Sequence, residues 1–414
     1  MEKTPRLPFI LITTLFLAWG IANNMTDTLL AAFKRIMSMT DFQTTFVQYA
    51  FYGAYFCFAI PAALFIKKFT YKSGVLVGLG MFVLGALLFF PASKTMDYWH
   101  FLVALYILAG GLSFLETSAN PYIVAMGPPD SGTQRLNLAQ SFNPVGAITG
   151  VLLSKLFILS HLNRADAHER AIMDPAQLQA IQAEELAAVM GPYVGVALAL
   201  LVLWLMIRFT PMPSASDADS SLHLGASIKR LLKNRNYVWA VIAQFFYVGA
   251  QIGVWSFTIR FVMQELNLNE EQASSYYLGA LVLFLVSRFV STWLMRYFRA
   301  TSLLIALSLL AMGLAAVVVL AGGFVAVYAL VGISGCMSLM FPTIYALGLV
   351  GLGDDTKIGG SGLVMAILGG AVITGLQGQV SDLSGSIHIA YVVPMFCFGV
   401  VAYYGYIANK LACR

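Results

Sequence analysis

Two acidic side chains stand out because each lies inside a long apolar stretch. Asp27 occurs in WGIANNMTDTLL and Glu116 in LETSANPY. A charge near the centre of a bilayer is costly, so ionisable residues there are candidates for function by default. A carboxyl group in a poorly solvated cavity can take up and release a proton near neutral pH. An ionised carboxylate can instead accept hydrogen bonds from adjacent hydroxyl groups.

Asp27 shares one predicted helix face with Trp19 and Asn23. The three residues are spaced i, i+4 and i+8, which stacks them along the same side of a helix. We predict that Asp27 carries a coupling proton and that Trp19 and Asn23 line the same cavity. The alternative is a structural acid that a helix N-terminus or an amide satisfies.

Glu116 has Asn120 one turn further along the same predicted helix. An internal repeat aligns PYIVAMG at 121–127 with PTIYALG at 342–348, and this places Glu116 opposite Met337. The acid therefore exists in one half only, which indicates specialisation. We predict that Glu116 and Asn120 bind hydroxyl groups of a sugar. The alternative is an interhelical pair between Glu116 and a basic side chain.

Amides and aromatic rings accompany the two acids. RLNLAQSFNPVG spaces its amides one turn apart, and the seventh apolar stretch carries a polar and aromatic face. Rings beside amides suit a sugar, whose C–H face stacks while its hydroxyls need donors and acceptors, although buried amides also join helices. The predicted substrate-binding residues of this kind are Asn143, Gln140, Gln251, Trp255, Phe284 and Tyr345.

The composition places the whole chain in lipid. Hydrophobic residues make up 59% of the 414 residues and charged residues 10%, against about 25% charged in soluble domains. Stretches near 20 apolar residues can span a bilayer as helices. We predict spans at 8–33, 44–66, 74–93, 99–126, 135–160, 191–209, 237–263, 272–295, 301–320, 324–350, 357–380 and 388–409.

The repeat divides these twelve spans into two six-helix bundles related by pseudo-symmetry. We predict an N-terminal bundle at 1–209, a polar cytoplasmic linker at 210–235 and a C-terminal bundle at 236–414. In transporters built from such parallel halves, the substrate site lies near the midplane between them. Asp174 followed by Pro175 predicts the start of a short external helix.

Basic residues predict the orientation. Of the 24 Lys and Arg residues, sixteen fall on the side of the chain termini and six on the other side. This bias predicts cytoplasmic termini in a bacterial inner membrane and explains the net charge of +5 without a nucleic-acid partner. The two remaining cations lie inside spans. We expect Lys155 to reach toward the outer interface and Arg288 to tie helices together.

The sequence contains no motif that indicates an enzyme. It has no Walker loop, no H-E-x-x-H, no G-x-S-x-G and no Cys/His cluster. The four cysteines have no paired spacing, so we expect no disulfide framework and no zinc site. The prediction is a transporter without a cofactor or a metal, which functions as a monomer.

Five segments resemble the fucose permease family of the major facilitator superfamily. They are WGIANNMTD (19–27), LETSANPYIVAMGP (115–128), RLNLAQSFNPVGAI (135–148), WAVIAQFFYVGAQIGVWSF (239–257) and FPTIYALGL (341–349). The resemblance implies proton-coupled symport of a hexose or deoxyhexose such as L-fucose by alternating access. It also implies that Asp27 is the coupling acid, that Glu116 is the acid at the sugar site, and that Asn143, Gln140 and Trp255 are neighbours in the cavity.

Three alternatives stay open at the level of the sequence. The same fold could use sodium instead of a proton, because carboxylates serve both ions. It could carry glucose, galactose or an amino sugar, since Phe341 and Pro144 depart from the family pattern. A drug or metabolite exporter is a third interpretation, although the many amides and the two lone acids argue against a wide apolar cavity.

Overall fold

The computed structural model describes residues 5–36, 41–95, 97–157, 170, 172–213 and 224–412, and it contains no strand in these ranges. Within the helices, the side chains of residues 23, 26–36, 41–45, 48, 155, 187–189, 270, 271 and 412 lie outside the description. The side chains of Asn23, Asp27 and Lys155 therefore lie outside the described residues.

Seven α-helices are described in the first half of the chain. They are α1 (Arg6–Ile36), α2 (Asp41–Lys68), α3 (Tyr71–Thr95), α4 (Tyr98–Ala125), α5 (Gly132–Gln140), α6 (Phe142–Phe157) and α7 (Pro175–Phe209). Together α5 and α6 make the fifth predicted span. The predicted external helix after Asp174 is not separate, because α7 runs without interruption from Pro175 through the sixth span. Asp174 caps it as expected, accepting a hydrogen bond from the Ala176 amide at 3.1 Å.

Ten helices form the rest of the described chain. They are α8 (Leu224–Lys233), α9 (Arg235–Leu266), α10 (Glu270–Leu294), α11 (Ala300–Leu320), α12 (Gly323–Met337), α13 (Met340–Leu349), α14 (Thr356–Met365), α15 (Gly369–Ser384), α16 (Ile387–Ala390) and α17 (Val392–Ala412). The tenth span is divided between α12 and α13, and the eleventh between α14 and α15.

The membrane character of the chain is confirmed. In the part that the structure describes, ten helical segments are long and apolar enough to cross a membrane. The other two predicted spans correspond to α1, whose segment Arg6–Ala22 is a shorter apolar helix, and to the divided pair α5 and α6. Below, the terminal face means the face at which α1 begins and α17 ends.

The polar segment predicted as a linker contains a helix. Arg230 of α8 donates from Nε and Nη2 to the two carboxylate oxygens of Asp355, each at 2.7 Å. This contact holds the pKa of Arg230 above its ordinary value. Leu231 on the same helix is buried. Helix α8 therefore packs against the start of the eleventh span. It forms because one side of it is apolar, and the Ser/Asp-rich composition of the whole segment hides that pattern in the sequence.

The two halves contact each other near the terminal face. Helix α14 packs against α2 and α4, and α5 packs against α13 and α10. Side-chain hydrogen bonds cross this boundary, since Asn137 donates to the Thr343 hydroxyl at 3.1 Å and Gln134 donates to the Thr292 carbonyl at 3.3 Å. These contacts join residues more than 150 positions apart in the sequence.

Glycines bring α1 and α6 into close backbone contact. A Cβ atom at Gly146 would overlap the Leu17 carbonyl oxygen, and one at Gly20 would overlap the Asn143 carbonyl oxygen. The corresponding helices of the second half, α9 and α15, make the same close backbone contact, because a Cβ at Gly369 would overlap the Phe245 carbonyl. Small residues at helix interfaces let backbones approach in this way. The contact fixes α6, which carries Asn143, against α1, which carries Asp27.

We expect Gly146→Ala to lower the melting temperature of the protein. The added methyl group meets backbone atoms that cannot rotate away, and overpacking of this kind costs about 1–3 kcal/mol. Gly195→Ala is the matched control, because Gly195 is exposed and nothing lies within 4 Å of the added Cβ. Thermal unfolding in detergent measures both variants. Equal melting temperatures for Gly146→Ala and the unmodified protein would contradict the close contact.

Candidate functional site

A hydrogen-bonded chain of three side chains joins the fourth span to the fifth. Asn120 Nδ2 donates to Glu116 Oε2 at 2.6 Å, and Gln140 Nε2 donates to Asn120 Oδ1 at 2.8 Å. Glu116 is 7% exposed and Asn120 is fully buried. The first bond follows from sequence, because residues four apart lie on one helix face. The second depends on how α5 packs against α4.

Glu116 forms no ion pair within the described residues. The salt bridges there join Arg170 to Glu185, Arg230 to Asp355 and His388 to Glu265. The described residues therefore contain no ion pair between Glu116 and a basic side chain, which was the structural alternative for this acid. A buried carboxylate whose described donor is one amide keeps acceptor capacity for further hydrogen bonds.

Arg288 contacts both halves of the protein. Its Nε donates to the Ser338 carbonyl, and its Nη1 donates to the Gln140 carbonyl at 3.1 Å. The guanidinium also lies over the Phe284 ring, 4.6 Å from the centroid, which is a favourable cation–π distance. The prediction that this arginine ties helices together is confirmed, and one of the helices it reaches belongs to the other half.

The carbonyls that Arg288 binds lie at breaks in two helices. Gln140 ends α5 immediately before the break at Ser141, and Ser338 separates α12 from α13. Irregular backbone within a membrane is tolerated only where it is buried and its polar groups find partners. Arg288 supplies that partner at both breaks. The guanidinium of Arg288 therefore finds its acceptors at the two helix breaks, and the carbonyls at those breaks find their donor in Arg288.

Gln140 connects the two charged groups. Its side chain donates toward Asn120 and so toward Glu116, while its own backbone carbonyl accepts from Arg288. The chain Glu116–Asn120–Gln140–Arg288 runs from α4 through α5 to α10. Polar contacts thus connect a buried carboxylate of the first half to a buried guanidinium of the second half.

Aromatic side chains extend the arginine side of this site. Trp255 meets Phe284 edge to face at 5.1 Å between ring centroids, and its Nε1 donates to the Ser334 hydroxyl at 3.2 Å. Phe341 stacks with Tyr345 at 6.3 Å and 16°. Tyr345 is buried and its hydroxyl lies 3.4 Å from the Gly360 carbonyl. The structure brings Trp255, Phe284 and Arg288 together, and Tyr345 lies on α13 in contact with Phe341.

Trp19 and Asn143 both contact Phe16, where α1 packs against α6. Trp19 is buried and stacks on Phe16 at 5.7 Å, while Asn143 Nδ2 donates to the Phe16 carbonyl at 3.3 Å. Asn143 and Gln251 are both half-buried. The structure describes no contact between Gln251 and the other predicted residues.

Sequence reasoning missed a polar side chain inside the eleventh span. Gln377 of α15 is fully buried, and neither its oxygen nor its nitrogen has a hydrogen-bond partner in the described residues. Gln244 of α9, which belongs to the polar face of the seventh span, is in the same state. Gln377 packs closely against α9, since a Cβ at Gly253 would overlap its Oε1. No local spacing signals this burial, because it depends on how α15 packs against α9.

The described residues contain neither a candidate metal site nor a disulfide. There is no group of three or more His, Cys, Asp or Glu side chains that could hold a metal ion among them. Cys57, Cys336 and Cys397 are free cysteines. What the site offers is a set of donors, acceptors and rings that can hold a neutral polar molecule.

Comparisons with known proteins place the chain in a family. Residues 9–376 match the Major Facilitator Superfamily. The chain is 42% identical over 400 residues to the L-fucose-proton symporter of Escherichia coli, which covers 95% of this chain and 91% of that protein. It is 33% identical over 407 residues to the glucose/galactose transporter of Brucella abortus, covering 96% and 93% of the two chains.

A solved structure matches almost the whole fold. It is the crystal structure of the Major Facilitator Superfamily transporter FucP in the outward conformation, with a TM-score of 0.93 and 41% identity over 98% of this chain and 99% of that chain. The twelve-helix architecture predicted from the sequence is confirmed by this match. The chain belongs to the Major Facilitator Superfamily, and within it to the fucose permease family.

Proposed function

We propose that this protein is a proton-coupled symporter for L-fucose or a chemically similar deoxyhexose. The observation that carries the proposal is the buried chain Glu116–Asn120–Gln140–Arg288, which presents a carboxylate, two amides and a cation between the two halves. A relative that shares 42% of its residues with this chain is named an L-fucose-proton symporter. The site and the relative point to the same class of substrate.

Each predicted residue has a role in this proposal. Glu116 accepts hydrogen bonds from adjacent sugar hydroxyls, and the amides of Asn120, Gln140 and Asn143 supply further donors and acceptors. Trp255, Phe284 and Tyr345 offer rings to the C–H face of the sugar, with Trp19 and Gln251 at the edge of the cavity. Asp27, with Asn23 on its helix face, binds the coupling proton.

Transport requires that contacts between the halves break and re-form. The contacts at the terminal face include the hydrogen bonds from Arg288 to the Gln140 carbonyl, from Gln134 to the Thr292 carbonyl and from Asn137 to Thr343. Alternating access by rocking of the halves opens this face only when those bonds are released. Because Gln140 belongs both to this set and to the sugar site, sugar binding and release of the contacts involve the same residue.

The membrane arrangement completes the proposal. Two bundles at 1–209 and 236–414 are joined by the segment 210–235, whose helix α8 is anchored by Asp355. The terminal face is cytoplasmic, because most Lys and Arg residues outside the spans fall on it. The protein acts as a monomer in a bacterial inner membrane.

A second candidate is a transporter of glucose or galactose. The observation that favours it is the 33% identity to the glucose/galactose transporter of Brucella abortus over 96% of this chain. Counterflow into vesicles that contain the purified protein separates the two. L-fucose should exchange in preference to D-glucose and D-galactose, and a preference for either of these two sugars would favour the second candidate.

We expect Asp27→Asn to abolish uphill accumulation of sugar while exchange between equal sugar concentrations continues. Asparagine keeps a hydrogen-bonding side chain of similar size but cannot bind and release the proton. Paired measurements of accumulation under a pH gradient and of exchange without one, in the same vesicles, check this. Accumulation at the normal level in the variant would remove Asp27 from the coupling role.

Glu116→Gln should weaken sugar binding and slow both modes of transport. A hydrogen bond to a charged group contributes about 1.5–3 kcal/mol, so the expected loss of affinity is about ten- to a hundredfold. Calorimetry with L-fucose measures binding, and Asp27→Asn serves as the comparison because it should keep exchange. Unchanged sugar binding in Glu116→Gln would remove Glu116 from the sugar site and leave it a structural residue or a proton carrier only.

A further inference from the structure

A cleft opens between the two halves at the terminal face, and none of the predicted sugar-site residues lines it. Its volume is about 340 Å³, and its walls come from α5 and from the end of α10. The bond from Gln134 to the Thr292 carbonyl joins one wall to the other. The residues that line it are Gln134, Arg135, Leu138, Phe289, Thr292, Trp293 and Arg296.

The cleft is positively charged. Arg135 donates to the carbonyls of residues 123, 124 and 128 and to the hydroxyl of residue 131, all of which are neutral acceptors, so its charge is not cancelled there. Arg296 is exposed and forms no ion pair within the described ranges. No acidic residue lines the cleft. An anion entering it therefore meets two cations and no competing carboxylate.

The remaining walls are apolar and exposed, near the ends of the fifth and eighth spans. Leu138 is 38% exposed, Phe289 37% and Trp293 51%, and they stand beside the polar Gln134 and Arg296 at the ends of their helices. Tryptophan is enriched at the membrane–water interface because its ring is amphipathic. A ligand of this cleft thus needs an anionic group joined to an apolar chain.

We propose that this cleft binds the phosphate headgroup of an anionic phospholipid, with phosphatidylglycerol as the probe. Basic pockets between membrane helices on the cytoplasmic side suit such headgroups, and the volume falls in the range of small-molecule sites. Arg296 binds the phosphate, while Leu138, Phe289 and Trp293 contact the first part of an acyl chain.

A lipid in this position contacts both halves at once. One wall belongs to the fifth span and the other to the eighth, and these spans must separate when the terminal face opens. The bound lipid therefore favours the conformation in which this face is closed. This consequence for transport rests on the proposed function, whereas the binding itself does not.

Binding is tested on the purified full-length protein by native mass spectrometry during titration with phosphatidylglycerol. Arg296→Gln should reduce the affinity of the tightest bound lipid about fivefold, as expected for one arginine near an anionic surface. Arg208→Gln is the matched control, because Arg208 is also exposed at the terminal face but lies outside the cleft. Phosphatidylcholine and glycerol phosphate are titrated in parallel.

The lipid site is supported if Arg296→Gln and Trp293→Ala each weaken the binding of phosphatidylglycerol while Arg208→Gln does not. An equal loss in Arg208→Gln, or equally tight binding of phosphatidylcholine, overturns the proposal. Competition by glycerol phosphate alone would show a site for soluble anions and would also overturn it. If phosphatidylglycerol binds as proposed but sugar transport is absent, the lipid site stands and the proposed function fails.

Discussion

Two buried charges of opposite sign, each contributed by a different half, have to be satisfied where water is scarce. Removing a carboxylate and a guanidinium from water is costly, and the cost is offset only by close, well-directed partners. Here Glu116 and Arg288 do not touch each other. They are joined through Asn120 and Gln140, so each has a hydrogen-bond partner while the space between them stays polar.

This requirement shapes the backbone around it. Arg288 needs acceptors, and the carbonyls of Gln140 and Ser338 can accept from it because the residues four positions later, Pro144 and Pro342, have no N–H to donate. The helices that carry the remaining predicted residues are held by contacts without room for a side chain, such as that of Gly146 against α1. Close packing between helices therefore sets the positions of the site residues.

The parts of this arrangement that depend on local spacing could be predicted from the sequence. Spans, the cap at Asp174 and the pair of Glu116 with Asn120 follow from apolar length and from the helical period. The bond from Arg288 to Gln140 could not be placed, because it joins residues 148 positions apart through the packing of two halves. The helix α8 was missed because its short apolar side lies in a polar segment, and the continuity of α7 was missed because Asp174 and Pro175 signal only a beginning.

The central claim is that sugar entry is coupled to a proton, and proton movement during sugar transport tests it most directly. Vesicles that contain the purified protein, with lightly buffered medium and no sodium, receive L-fucose while the external pH is recorded. The account predicts that the medium becomes more alkaline as sugar enters, and that Asp27→Asn vesicles give no such change. Sugar entry that requires sodium and leaves the external pH unchanged would contradict it.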